Sequence, residues 1–231
     1  TYQRISAEMT LPGSTVEYYK LNYDFSKFWP LSRALVLNTR VSLGYGNSYG
    51  AAVTRDVCFT AGTYQDTDNN PATPPVFVPG AAPSEPCLTT SPDYVRTITA
   101  DGLPFFENFY AGGTRSVRGF RDNTLGPREG VTPTSTYTQP LGGAVKTTGS
   151  LEMYFPTLIK SPSARVSAFV DFGNVFTNTS AFSTGELRAS AGVAVLWRAP
   201  VGPISISYAF PIRQQPGDEI ERLQFTFGGA F

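Results

Sequence analysis

The chain has no histidine and only two cysteines, Cys58 and Cys87. The first absence removes the side chain that most often acts as a general base near neutral pH. An excess of charge of either sign is missing too. Eighteen basic residues balance eighteen acidic ones, so no long-range field draws the chain to nucleic acid or to an acidic surface. Charged residues make up only 16% against 13% aromatic, with 22 Gly and 19 Pro, a balance that favours short strands and turns over helices. No window holds about 18 consecutive apolar residues, which excludes a transmembrane helix. A transmembrane barrel is not excluded, because its strands need only about 9–11 residues of alternating polarity. The chain starts at Thr1 without an initiator Met or signal peptide and reads as a processed or excised piece, so missing targeting information says nothing about location.

What is present is alternation with a period of two, repeated eight times, with no long apolar stripe at helical spacing. Ile5, Ala7, Met9 and Leu11 oppose Arg4, Ser6, Glu8 and Thr10; Tyr19, Leu21, Tyr23 and Phe25 oppose Lys20, Asn22, Asp24 and Ser26; Leu35, Leu37, Val41, Leu43 and Tyr45 oppose Asn38, Arg40 and Ser42. After Gly46 the pattern stops for almost a hundred residues, a loop taken as 47–143. It resumes with Leu151 and Met153 against Ser150 and Glu152, then with Val166, Ala168, Val170 and Phe172 against Arg165, Ser167 and Asp171. Val193, Val195 and Trp197 follow, alternating with Arg188 and Ser190 earlier in that strand, then Ile204, Ile206, Tyr208 and Phe210. A closing strand over 221–231 sets Leu223, Phe225, Phe227 and Phe231 against Arg222, Gln224 and Thr226.

Alternation alone fits a soluble sandwich as well as a membrane barrel. Loop lengths favour the barrel: connections at 28–32, 156–163 and 199–203 are short, and those between them are longer or very long. Outer-membrane barrels have short periplasmic turns on one rim and long extracellular loops on the other. Trp29, Tyr45, Phe155, Phe176, Trp197 and Phe210 lie at strand ends, where interfacial aromatic girdles belong. Eight strands are enough to close, but an eight-stranded barrel is just filled by its own side chains, which leaves no room for an inserted loop.

The long loop holds a segment that resists reading as solvated loop, 107–120, centred on Val117, Arg118, Gly119 and Phe120. Glycine allows the backbone angles of a tight fold, and arginine offers a planar five-donor fork suited to carboxylates. Gly112-Gly113 is no phosphate loop, since no helix follows to present its N–H groups. Glu152 and Asp171 have the chemistry of an acid/base dyad. With a loop arginine available to pair with them, an electrostatic role is the better reading. No catalytic residue, metal ligand or cofactor is assigned.

These markers, together with Asn123 to Pro127, the run from Phe169 to Phe176, and Ser207 to Pro211, resemble the outer-membrane β-barrel insertases of the BamA family. The resemblance runs the whole chain and implies an all-β fold, an antiparallel transmembrane barrel. The eight strands would be the C-terminal half of a larger barrel of about sixteen, with the long loop folded inward. It implies that Arg118 reaches into the lumen and pairs with Asp171, Glu152 or both, and that the last strand closes a weak lateral seam, with Phe225, Phe227, Gly228, Gly229 and Phe231 at that edge. Gly228-Gly229 either weakens the strand for gating or only allows close packing. It further implies a location in the outer membrane of a Gram-negative bacterium and no enzymatic activity. The partners would be nascent outer-membrane β-barrel proteins, outer-membrane lipids, and accessory lipoproteins that act through POTRA domains absent from this chain. Nucleic acid is not among them. A two-partner secretion or TamA-like translocation pore, or a passive structural barrel, remains the alternative.

Residues 47–101 match no pattern of that family. There Cys58 and Cys87 sit in a stretch rich in Pro, Thr and Asp, where a buried thiol has no core to join. A disulfide closing about thirty residues and worth roughly 3–4 kcal/mol is expected, the alternative being two free exposed thiols.

Overall fold

The computed structural model describes residues 1–14, 16–49, 103–129, 139–159, 161, 163–200 and 202–228, together with four short strands between residues 55 and 98. Eight strands form one sheet: β1 (Tyr2–Met9), β2 (Tyr18–Pro30), β3 (Val36–Ser48), β4 (Val145–Phe155), β5 (Ala164–Phe176), β6 (Arg188–Ala199), β7 (Gly202–Arg213) and β8 (Leu223–Phe227). The pairing is antiparallel throughout and follows chain order, so β1 and β8 each have one neighbour and the sheet is open. Helical structure among the described residues is limited to two 3₁₀ turns, Phe105–Glu107 and Thr184–Glu186. Residues 51–100 form a separate compact unit, with one ladder pairing Arg55–Cys58 to Val95–Ile98 and another pairing Thr63–Gln65 to Val76–Val78. The expected disulfide between Cys58 and Cys87 falls outside the residues whose side chains are described.

The sheet separates its two faces as the alternation predicts. Ile5, Leu43, Leu151, Val193, Ile206, Phe210 and Phe225 are exposed on the outer face. Asn38, Thr148, Ser150, Glu152, Ser167, Asp171, Ser190, Ser207 and Gln224 are buried on the inner one. The apolar faces therefore do not meet in a dry shared core, as a sandwich requires. An exposed apolar band on a single sheet suits hydrocarbon, where a charge at mid-depth would cost about 2–4 kcal/mol. Phe176 departs from the expected girdle. It is buried, with Phe182 of the following loop packed on it at a centroid distance of 5.0 Å.

One further difference concerns the end of the chain. The last strand begins at Leu223 rather than Glu221, because Ile220 and Glu221 pair instead with Phe120 and Gly119 of the long loop. Between β6 and β7 the register slips at Ala189/Ser190, beside Pro211, which has no N–H for the ladder.

The principal apolar core lies under the long loop. Leu103, Phe109, Ala111, Val117, Phe120 and Leu125 are buried with Tyr18, Ala144 and Val175 of the wall. Two wall glycines make room for them. A methyl group at Gly44 would stand 2.7 Å from the Phe109 ring, and one at Gly46 would stand 2.6 Å from Leu103.

Candidate functional site

The site is built where the loop's Arg118 meets β4 and β5. Strand alternation directs Ser150 and Glu152 of β4, and Ser167, Phe169 and Asp171 of β5, to the same inner surface, and the ladder sets Ser150 opposite Asp171. Arg118 lays its fork across them. Its Nε donates to Asp171 Oδ2 at 2.7 Å and its Nη2 to Oδ1 at 3.0 Å, a bidentate pair, while its backbone N–H also donates to Oδ2 at 3.1 Å. Nη1 reaches Glu152 Oε1 at 3.3 Å, and Nη2 reaches Glu152 Oε2 and Ser150 Oγ, each at 3.4 Å. The guanidinium carbon lies 3.4 Å from the centroid of the Phe169 ring, so the cation is stacked as well as bridged. Burial works against the charged guanidinium. The hydrogen bond and charge of Asp171, then those of Glu152, outweigh it and raise its pKa above the ordinary arginine value.

Glu152 is shared. It accepts from Ser167 Oγ at 2.6 Å and from Arg40 Nη2 of β3 at 3.1 Å, so two guanidinium groups and two carboxylates make an electrically balanced cluster. Such charges are stable away from bulk water only when paired and hydrogen-bonded on all sides. Val117 and Phe120 flank Arg118 within the loop core. Gly119 between them has φ +89, and a methyl group there would stand 3.0 Å from Ala209 of β7. This position needs glycine both for its left-handed backbone and for its distance from the wall.

Beyond Arg118 the loop grips the end of the sheet. Ser190 Oγ donates to the Arg118 carbonyl. Gln224 of β8, buried, accepts from the Gly119 N–H at 3.2 Å and donates to the Phe120 carbonyl at 2.7 Å. Ile220 and Glu221 extend that contact as a two-residue ladder, and Glu219 adds ion pairs to Arg121 at 2.9 Å and Arg128 at 3.1 Å. Nearer the start of the described loop, Lys20 Nζ pairs with Glu107 Oε2 at 3.3 Å and lies 4.7 Å from the Phe109 ring centroid.

Of the residues singled out in the sequence, Val117, Arg118, Gly119, Phe120, Glu152 and Asp171 come together in this one cluster. Phe225 and Phe227 stand exposed on the outer face of β8, and Gly228 follows β8 with φ +71; Gly229 and Phe231 lie outside the described residues. Sequence reasoning missed Phe169, Ser167, Ser190, Arg40 and Gln224 as partners of the loop. Phe169 left a trace, as an aromatic residue in phase with Ser167 and Asp171 on an otherwise polar face. No three His, Cys, Asp or Glu side chains among the described residues are grouped as a metal would require.

A family model described as the Omp85 superfamily domain matches residues 1–231. Among curated proteins, the outer membrane protein assembly factor BamA of Neisseria meningitidis serogroup B is 30% identical over 98% of the chain, which spans 26% of that protein. A SAM50-like protein of Schizosaccharomyces pombe is 25% identical over 54% of the chain, covering 26% of its own length. Among solved structures, BamA from Haemophilus ducreyi lacking POTRA domains 1–3 superposes with a TM-score of 0.67 at 28% identity, covering 96% of this chain and 37% of that one. The chain thus spans about a quarter of the length of the curated relatives named here.

Proposed function

The chain belongs to the Omp85 superfamily, and we propose that it is the C-terminal half of a roughly sixteen-stranded insertase barrel in the outer membrane of a Gram-negative bacterium. In this reading it helps nascent outer-membrane β-barrel proteins to fold and insert. The observation that carries the proposal is the free edge of the last strand. Among the described residues β8 has one neighbour, β7, which leaves its other edge for the first strand of the complete barrel, and the loop that grips it is anchored elsewhere by Arg118. A strand edge in hydrocarbon carries N–H and C=O groups that must be satisfied. In the complete barrel that edge meets the first strand, and a weak seam there opens to offer it to an incoming strand by β-augmentation. The Arg118 cluster then acts as a tether that keeps the loop, and with it β8, in the competent position. Accessory lipoproteins would act through POTRA domains elsewhere in the full-length protein. No catalytic step is assigned to any side chain.

A disulfide stapling β8 to the first strand of the complete barrel tests the mechanism. Substrate insertion is expected to stop while the barrel stays folded, judged by heat-modifiable migration. Normal insertion by the stapled protein would overturn the moving seam. It would favour a translocation pore of the two-partner secretion or TamA-like type, or a passive barrel, readings that the number of POTRA domains in the complete protein separates.

A further inference from the structure

The two rims of the sheet treat charge differently. On the side of the long connections, Lys20 pairs with Glu107, Arg121 and Arg128 with Glu219, and Arg188 with Glu186 and Asp218. On the side of the short turns, residues 26–36, 154–166 and 196–204 contain Lys27, Arg33, Lys160, Arg165 and Arg198 and not one Asp or Glu. Lys160 lies outside the described residues; among those described, none of the other four enters an ion pair.

The chain's only two tryptophans, Trp29 and Trp197, stand exposed on this same rim. Lys27 shares the strand phase of Tyr23 and Phe25 on the outer face, and its Nζ lies 3.5 Å from the Trp29 ring centroid. Arg33 is exposed in the turn between β2 and β3. Arg165 and Arg198 follow the phase of Asp171 and Ser190 instead and mark the inner mouth. A Trp at the membrane interface, with a lysine ammonium held on its ring face, sets a positive charge at the depth of the headgroups. Unpaired cations beside it select the sign of the headgroup.

We infer that Lys27, on the Trp29 ring, and Arg33, exposed in the turn that follows, form a seat for the phosphates of anionic phospholipid at the short-turn rim. The inference rests on the membrane-barrel reading above, and its occupant is a lipid of phosphatidylglycerol type rather than an acidic protein surface. One basic side chain at an anionic surface is worth about a fivefold preference at low salt. Two of them on one turn, partly screened, give a selectivity that is measurable against a zwitterionic lipid of the same chain length.

Tryptophan quenching by phospholipids brominated high on the acyl chain reads which lipid sits against this rim. The intact full-length protein is reconstituted in phosphatidylcholine vesicles carrying rising fractions of brominated phosphatidylglycerol or, separately, brominated phosphatidylcholine. The part of the signal that a Trp29→Phe/Trp197→Phe variant loses belongs to the rim. Half-quenching is expected at about three- to fivefold lower mole fraction of the anionic lipid. The preference should shrink with added salt, vanish in Lys27→Gln/Arg33→Gln, and survive in Lys27→Arg/Arg33→Lys. Equal quenching by the two lipids would overturn the seat, and so would a preference undiminished in the Gln variant. Quenching by neither lipid would overturn it by a different route, since the rim would then not lie at a membrane surface at all.

Discussion

Among the described residues β2 and β3 pair over thirteen positions, whereas β7 and β8 pair over five, with one further backbone hydrogen bond at each end, from the Ala209 N–H to the Arg222 carbonyl and from the Gly228 N–H to the Pro203 carbonyl. The long ladder runs the whole length of both strands, and the loop only rests on one end of it, at Lys20, Gly44 and Gly46. The short one is held from within the lumen, by Gln224 on the loop backbone and by the two-residue ladder of Gly119 and Phe120 with Glu221 and Ile220. The loop in turn is fixed to β4 and β5, in the middle of the sheet, by Arg118. Stability at the edge is thus borrowed from the middle through the loop, whose buried polar attachment is Arg118. A strand held in this way is released by changing the loop, without breaking the wall.

The strongest way to break that comparison is Arg118→Ala. It leaves Asp171 and Glu152 buried, with only Arg40 nearby to compensate Glu152, and losing one partner of a buried pair costs about 3–5 kcal/mol. The loop and β8 should lose protection together while β2 and β3 keep theirs. Hydrogen exchange of the full-length protein measures this, and assembly activity should fall more than expression does. Uniform loss of protection across all strands would mean that the arginine serves the whole fold instead.

The wall was legible in the sequence because a sheet with one face in hydrocarbon and one in a polar lumen must alternate, and alternation can be read residue by residue. Arg118, Glu152 and Asp171 were legible because a charge in an otherwise apolar loop needs a partner and the inner faces of two strands offered carboxylates. Gln224 was not. It looks like any polar residue on an inner face, and its partners are backbone groups of Gly119 and Phe120, which carry no side-chain signal. Gly44 and Gly46 were equally silent: nothing in their neighbourhood announces that Phe109 and Leu103 will come to rest on them from more than fifty residues away. The start of β8 was misplaced for a similar reason, since the pairing of Ile220 and Glu221 with the loop depends on where the loop lies.

A more selective break is Gln224→Ala. It strands the Gly119 N–H and the Phe120 carbonyl in a buried place, a cost of about 1–3 kcal/mol for an unsatisfied group. Exchange should quicken in β8 and at Gly119 and Phe120, with the Arg118 cluster intact. If β8 exchanges no faster than in the unaltered protein, its hold comes from β7 alone. Gly119→Ala presses on the same junction by another route. Its φ of +89 suits a side chain poorly and the new methyl group would meet Ala209, so a loss of roughly 1–2 kcal/mol is expected in denaturant titration.

Lys20→Ala sharpens the comparison by being small. Lys20 and Glu107 make an ion pair with the same loop, but their side chains are 16% and 26% exposed, against 7% and 1% for Arg118 and Asp171. Water screens the outer pair and competes for its hydrogen bonds, so its removal should cost less than about 1 kcal/mol, most of it from the Lys20 contacts with the Phe109 ring and the Glu107 carbonyl. β8 should be untouched, because Lys20 reaches the loop far from Gln224 along the chain. Rising salt should reduce the ion-pair share of the difference between Lys20→Ala and the unaltered protein while leaving the Arg118→Ala defect in place, since screening reaches the partly exposed pair more than the buried one. If both defects responded equally to salt in the same titration, the two attachments would not differ in kind. The dependence of the edge on one buried arginine would then have to be given up.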